Sequence, residues 1–176
     1  INMPNHIIIK KNINNFKKKI FVSGDKSISI RWVLFASIAS GISRAKNLLV
    51  SEDVLAAIKI IKKFGIKVIQ KKGFFVIFGK GINGYNYRKN IVLNAGNSAT
   101  LGRLILGLII NSNTAIKLIG DRSLSKRDFK RVTSPLSKFG AKFKLQKNFS
   151  LPLTIQGSKK IKSIRYHETR GSAQCK

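Results

Sequence analysis

Acidic residues are scarce in this chain: six Asp and Glu stand against 35 Lys and Arg in 176 residues, a formal charge of +29. So few carboxylates leave little material for a paired acid/base site. The adjacent acids Glu52 and Asp53 follow Ser51 in the pattern of a helix start, where negative charge is favoured. The single cysteine, Cys175, excludes an intramolecular disulfide, and two histidines, His6 and His167, are too few for a zinc-type ligand set. No metal or P-loop pattern is present and nucleophile arrangements are poorly supported, so no metal site is expected within these residues. No apolar run reaches the roughly 18–20 residues of a membrane span. Residues 1–20 carry lysines and asparagines where a secretory leader needs an apolar centre. These absences predict a soluble, cytoplasmic protein without a membrane partner.

What is present is enough apolar material for a real core: 43% hydrophobic and 9% aromatic residues, the composition of a globular chain. The basic excess has two sources open to it. An anionic partner is one; the other is an A- and T-rich genome, since Lys is accompanied by a surplus of Asn, Ile and Phe. A basic RNA-binding domain is thus a reading from another class. It expects cations gathered on one face or interleaved with stacking aromatics, whereas here they are spread along the whole chain, which makes nucleic acid a poor fit as partner.

The stretch Gly24-Asp25-Lys26-Ser27-Ile28-Ser29-Ile30-Arg31 runs straight into Trp32-Val33-Leu34-Phe35-Ala36. It reads as a helix N-terminus aimed at an anion: a glycine for the turn, Ser27 as cap, and Lys26 and Arg31 reinforcing the partial positive charge. Two later stretches echo it, Asn97-Ser98-Ala99-Thr100-Leu101-Gly102-Arg103 and Ser172-Ala173-Gln174-Cys175-Lys176. The leading serines recur at intervals of 71 and 74 residues, and Lys-Phe-Gly at 63–65 recurs 75 residues later at 138–140. A period of this length marks a repeated supersecondary unit rather than a solenoid module.

Hydrophobic periodicity and turn residues predict strands at 6–10 and 18–22, a helix from Ser27 to Gly41, a strand at 45–50, a helix after Ser51 running to Gly65, and a hairpin at 66–78. After a glycine-rich connection at 79–90, a strand at 91–93 leads to a second copy. It comprises a helix at 98–110, a strand at 115–119, a helix at 125–139 kinked by Pro135, and strands at 141–145 and 151–155. The fold class is α/β (α+β), built of helix–strand–helix–hairpin units at 24–90 and 91–165, with a third begun at 172.

Five spaced stretches then resemble one family in order. They are Gly24-Asp25-Lys26-Ser27-Ile28-Ser29-x-Arg31, Asn47-Leu48-Leu49-x-Ser51-Glu52-Asp53, Gly96-Asn97-Ser98-Ala99-Thr100-x-x-Arg103-Leu104, Gly120-Asp121-x-Ser123-Leu124-x-Lys126-Arg127 and Ser172-Ala173-Gln174-x-Lys176. The chain is similar to the 5-enolpyruvylshikimate-3-phosphate (EPSP) synthases from about residue 18 onward. The resemblance implies a cytoplasmic transferase of the shikimate pathway that moves the enolpyruvyl group of phosphoenolpyruvate to shikimate 3-phosphate, releases phosphate, uses no organic cofactor and works as a monomer. It also implies a two-domain fold, of which residues 23–176 form an incomplete first domain, while strands within 1–22 belong with the second.

Carried over by position, the resemblance places Lys26 against both substrates, Ser27 and Arg31 on shikimate 3-phosphate, Ala99 and Arg127 on phosphoenolpyruvate, and Ser172, Ala173 and Gln174 on shikimate 3-phosphate. The family's proton-transfer groups lie outside these residues, so the 176-residue chain is expected to be inactive alone. Ala99 stands where many members carry glycine, which places the chain with the glyphosate-tolerant branch. Ile30 and Asp128 depart from the family pattern, replacing a histidine or other polar residue and a proline. A related enzyme, the UDP-N-acetylglucosamine enolpyruvyl transferase, shares the fold. Its first motif reads Gly-x-Lys-Asn, whereas here Lys26 is followed by Ser27.

Overall fold

The computed structural model describes Lys10, Lys17, residues 19–168 and Gly171. Among the described residues, four helices and seven strands follow one another in two related units. The first contains α1 (Lys26–Ile38), β1 (Ser40–Lys46), α2 (Glu52–Lys63), β2 (Lys67–Lys71) and β3 (Phe74–Lys80). The second contains β4 (Val92–Asn94), α3 (Ala99–Leu108), β5 (Ala115–Ile119), α4 (Lys130–Lys138), β6 (Lys142–Lys144) and β7 (Leu153–Gln156). This is the mixed α/β repeat that the periodicity predicts. The first sheet is antiparallel in the order β1-β3-β2, and the second is ordered β4-β5-β7-β6 with β4 parallel to β5.

Each unit repeats the same local logic. Ser51 caps α2 by accepting from the Val54 amide, Glu52 and Asp53 occupy its first turn, and Lys62 and Lys63 its last, so the charges match the helix dipole at both ends. Phe64 and Phe139 close α2 and α4. Gly65 and Gly140 follow with φ of +80° and +110°, the left-handed step that ends a helix cheaply only at glycine. That step explains why Lys-Phe-Gly recurs. Between the two sheets and the helices lies one core, including Ile30, Val33, Ile61 and Phe64 from the first unit and Leu93, Leu101, Ile105, Leu118 and Ile155 from the second. α1 packs on α2, β3 and α3.

Several boundaries differ from the sequence reading. α1 stops at Ile38, before Gly41, and β1 begins at Ser40 rather than at 45, because the strand pairs along its whole length with β3. The helix expected at 125–139 divides into a 3-10 turn (Leu124–Lys126) and α4, with Arg127 extended between them (φ −83°, ψ 144°). The Asp121 carboxylate accepts from the Leu124 amide at 2.7 Å and that of Asp128 from the Lys130 amide at 2.6 Å, so a side-chain hydrogen bond from outside each helix supports the start of each turn. Pro135 lies within α4 and does not end it. Residues 19–22 form no strand, and the strand expected at 6–10 lies outside the described residues except Lys10, which is irregular. Among the described residues no helix is long and apolar enough to cross a membrane.

The connection at 79–90 is more than a linker. Tyr85 is buried in it, stacked on Phe64 with ring centroids 4.6 Å apart and hydrogen-bonded through its hydroxyl to Ser37 of α1, while the Tyr87 hydroxyl donates to Asn111 beyond α3 at 2.9 Å. The strap therefore stitches the first unit to the second. Burial pushes the Tyr85 phenol up to about 12 from 10.0, with the Ser37 hydrogen bond opposing. A phenol whose folded pKa is raised contributes stability that is complete below its unfolded pKa and lost as pH climbs from about 10 to about 12. The expected contribution of Tyr85 is about 2 kcal/mol, read as the extra fall in the unfolding free energy of the parent over Tyr85→Phe between pH 9 and 11.5. Parallel pH profiles would contradict it.

Candidate active site

The start of α1 is built differently from the expectation. Asp25, not Ser27, is the cap: its carboxylate accepts from the Ile28 amide at 2.7 Å, and its extended backbone leads into Lys26 as the first helical residue. Ser27 is thereby released from capping and lies half-buried in the first turn. Arg31 follows four residues on, so the two share a face of the helix. The Lys26 ammonium pairs with Asp53 at 3.3 Å; Asp53 is thus both a first-turn charge of α2 and the partner of a proposed substrate contact. Ser29, buried on the other side of α1, accepts from the Leu49 amide at 3.1 Å. Gly24 lets the chain pass close by: a Cβ there would stand 2.1 Å from the Asn47 carbonyl oxygen. Ile30, the first departure from the family pattern, is fully buried in the core and so removes nothing from the polar face.

The start of α3 follows the reading closely. Buried Ser98 caps the helix by accepting from Leu101, and half-buried Ala99 is its first residue. Asn97, exposed beside the cap, donates its side-chain amide to Asp121 at 2.6 Å, and the Asp121 amide donates to the Gly96 carbonyl at 2.9 Å. The other carboxylate oxygen of Asp121 accepts from Leu124 at 2.7 Å. The hydrogen bond from Asn97 is the main cause that lowers the Asp121 pKa, followed by that from Leu124; the charge of Arg127 acts in the same direction. Asp121 therefore joins the turn of Ala99 to the segment of Arg127. At the far side, the Arg103 guanidinium lies over Phe129 and donates to the Asp128 carbonyl at 3.0 Å. The second departure, Asp128, thus replaces a proline without losing the turn that starts α4.

Two clusters result: Lys26, Ser27 and Arg31 on α1, and Ala99 with Arg127 around Asp121. Each belongs to one unit, and their helices pack against each other. Ser172, Ala173 and Gln174 lie outside the described residues. Among the described residues no three or more His, Cys, Asp or Glu side chains come together as a metal site. The sequence reading missed the roles of Asp25, Asp53 and Asp121, because a carboxylate gives no hint of its partner until two distant segments meet. The one available signal was position: Asp53 and Asp121 both follow the strand after a serine-bearing helix.

Fold and site define the class, an α/β protein of related units with polar, cation-bearing helix starts suited to compact anions. A family model described as EPSP synthase (3-phosphoshikimate 1-carboxyvinyltransferase) matches residues 10–176, and the chain belongs to that family. It is 42% identical over 166 residues to a 3-phosphoshikimate 1-carboxyvinyltransferase of Streptococcus agalactiae, covering 94% of this chain and 39% of that protein. It is 37% identical over 166 residues to the enzyme of that name from Oenococcus oeni, covering 94% and 38%. A solved EPSP synthase from Acinetobacter baumannii superposes with a TM-score of 0.84 at 34% identity, covering 91% of this chain and 36% of that one. The chain thus spans about two fifths of the length of the curated relatives it matches.

Proposed function

We propose that the complete protein transfers the enolpyruvyl group of phosphoenolpyruvate to shikimate 3-phosphate, and that these residues supply one side of the substrate site. The observation that supports this reading is the pairing of the Ala99 turn with the Arg127 segment through Asp121, in a chain that also presents Lys26, Ser27 and Arg31 at a helix start. Arginine forks and helix-start amides suit phosphate and carboxylate groups. Shikimate 3-phosphate would lie against Ser27 and Arg31, with Ser172, Ala173 and Gln174 completing its site. Phosphoenolpyruvate would lie against Ala99 and Arg127, with Lys26 reaching both. As the tetrahedral adduct forms and collapses, Lys26 and Arg127 hold the oxyanions of phosphate and carboxylate where they are placed, so charge is stabilised without reorganisation. Proton transfer falls to groups outside these residues. No organic cofactor is required, and the protein works in the cytoplasm as a monomer.

The test is the complete protein supplied with both substrates. Phosphate release that needs both, with formation of the enolpyruvyl ether on the shikimate ring, supports the reading. Release with UDP-N-acetylglucosamine as acceptor instead, or none with either, overturns it. A further expected result concerns Ala99, whose methyl group takes room from a ligand longer than phosphoenolpyruvate. One excess methyl in a tight site costs about 1–3 kcal/mol, so Ala99→Gly is expected to lower the glyphosate inhibition constant about ten- to a hundredfold. An unchanged constant would refute the steric account.

A further inference from the structure

We propose that Asp121 is a positioning residue for phosphoenolpyruvate, one carboxylate that fixes the Ala99 turn and the Arg127 segment in register. The proposal rests on the reading above, because it assigns phosphoenolpyruvate to those two segments. Three contacts carry it. One carboxylate oxygen takes the Asn97 side-chain amide at 2.6 Å, the other takes the Leu124 amide at 2.7 Å, and the Asp121 amide itself donates to Gly96 at 2.9 Å. Asn97 lies two residues before Ala99, and Leu124 lies three before Arg127, whose own amide donates to the Leu124 carbonyl at 3.0 Å. Any movement of Asp121 is thereby passed to both segments.

The first unit provides an independent parallel. Asn97 stands 71 residues after Lys26, the interval between the leading serines, and Lys26 is held by Asp53 at 3.3 Å. In both units, then, the residue just before the leading serine is bound by a carboxylate from the segment that follows the next strand. Like any ordinary aspartate, Asp121 is ionised at neutral pH, and hydrogen bonds to an ionised acceptor are short and strong; the same bonds shift its pKa downward. Asp121 is itself exposed and no part of the hydrophobic core, so these bonds, with a fourth from the Ser125 amide to its carbonyl at 2.9 Å, serve placement rather than core packing.

The experiment uses the complete protein with Asp121→Asn, which keeps shape and the acceptor for Leu124 but removes the charge and turns a donor toward Asn97. The KM for phosphoenolpyruvate is expected to rise about tenfold, with the KM for shikimate 3-phosphate changed less than about twofold. Asp121→Glu, which restores the charge, is expected to recover part of the loss. A fall in kcat with both KM values unchanged, or an equal rise in both, would overturn the proposal, since a merely structural cap acts in that way. Hydrogen exchange supplies a readout independent of the reaction. In Asp121→Ala, peptides covering 96–102 and 121–129 should lose protection together, and unaltered exchange in either refutes the tether. If the parent turns over neither substrate while the two peptides still respond together, the proposed reaction fails and the mechanical link stands.

Discussion

Replacing Arg127 with alanine in the complete protein is expected to lower kcat/KM for phosphoenolpyruvate by about a hundredfold or more, whereas Lys126→Ala should cost less than about fivefold. The two cations are neighbours in sequence and both are exposed, so composition cannot separate them. Their backbones do. Lys126 ends the 3-10 turn, whereas Arg127 is extended between that turn and α4, and its charge reaches the Asp121 carboxylate that also holds the Ala99 turn. A guanidinium so placed offers a planar fork to an anion, while a solvated lysine beside it contributes a screened point charge. Steady-state kinetics on both variants decide the matter. Equal losses would remove Arg127 from the proposed phosphoenolpyruvate site.

Gly24→Ala is expected to damage the first unit at the start of α1. The added carbon would stand 2.1 Å from the Asn47 carbonyl oxygen and 3.1 Å from the Leu49 nitrogen, both backbone atoms that cannot rotate away. The Leu49 amide is bonded to Ser29, and the Asn47 side chain donates to the Val22 carbonyl, so the segment has little freedom to retreat. The strain must move either this segment or the start of α1, and with it Lys26 and its partner Asp53. A loss of about 1–3 kcal/mol in stability and a rise in KM for both substrates are the expected results. Gly107→Ala is the control. That glycine is in α3 with open space around a built Cβ, and the change should stabilise by about 0.5–1 kcal/mol. The prediction fails if the two alanines shift the melting temperature in the same direction.

Much of this protein was legible in the chain itself. Helix starts at Ser51 and Ser98, the ends at Gly65 and Gly140, and β5 at Ala115–Ile119 follow from local chemistry, because a cap, a left-handed glycine or an alternating strand is specified within a few residues. The repeat and the family motifs are equally local patterns read at long intervals. What local pattern could not supply was every role that depends on a distant partner. Asp25 displaced Ser27 as cap because its carboxylate, one residue outside the helix, reaches the Ile28 amide, and both residue types favour that position equally in sequence. Tyr85 became a buried strap only because α1 and α2 present Ser37 and Phe64 to the same segment. The sequence alone determined where the cations and turns stand along the chain. Tertiary structure decided which carboxylate holds each of them, since Asp53 and Asp121 acquire their partners only when strands and helices 24 or more residues apart pack into one core.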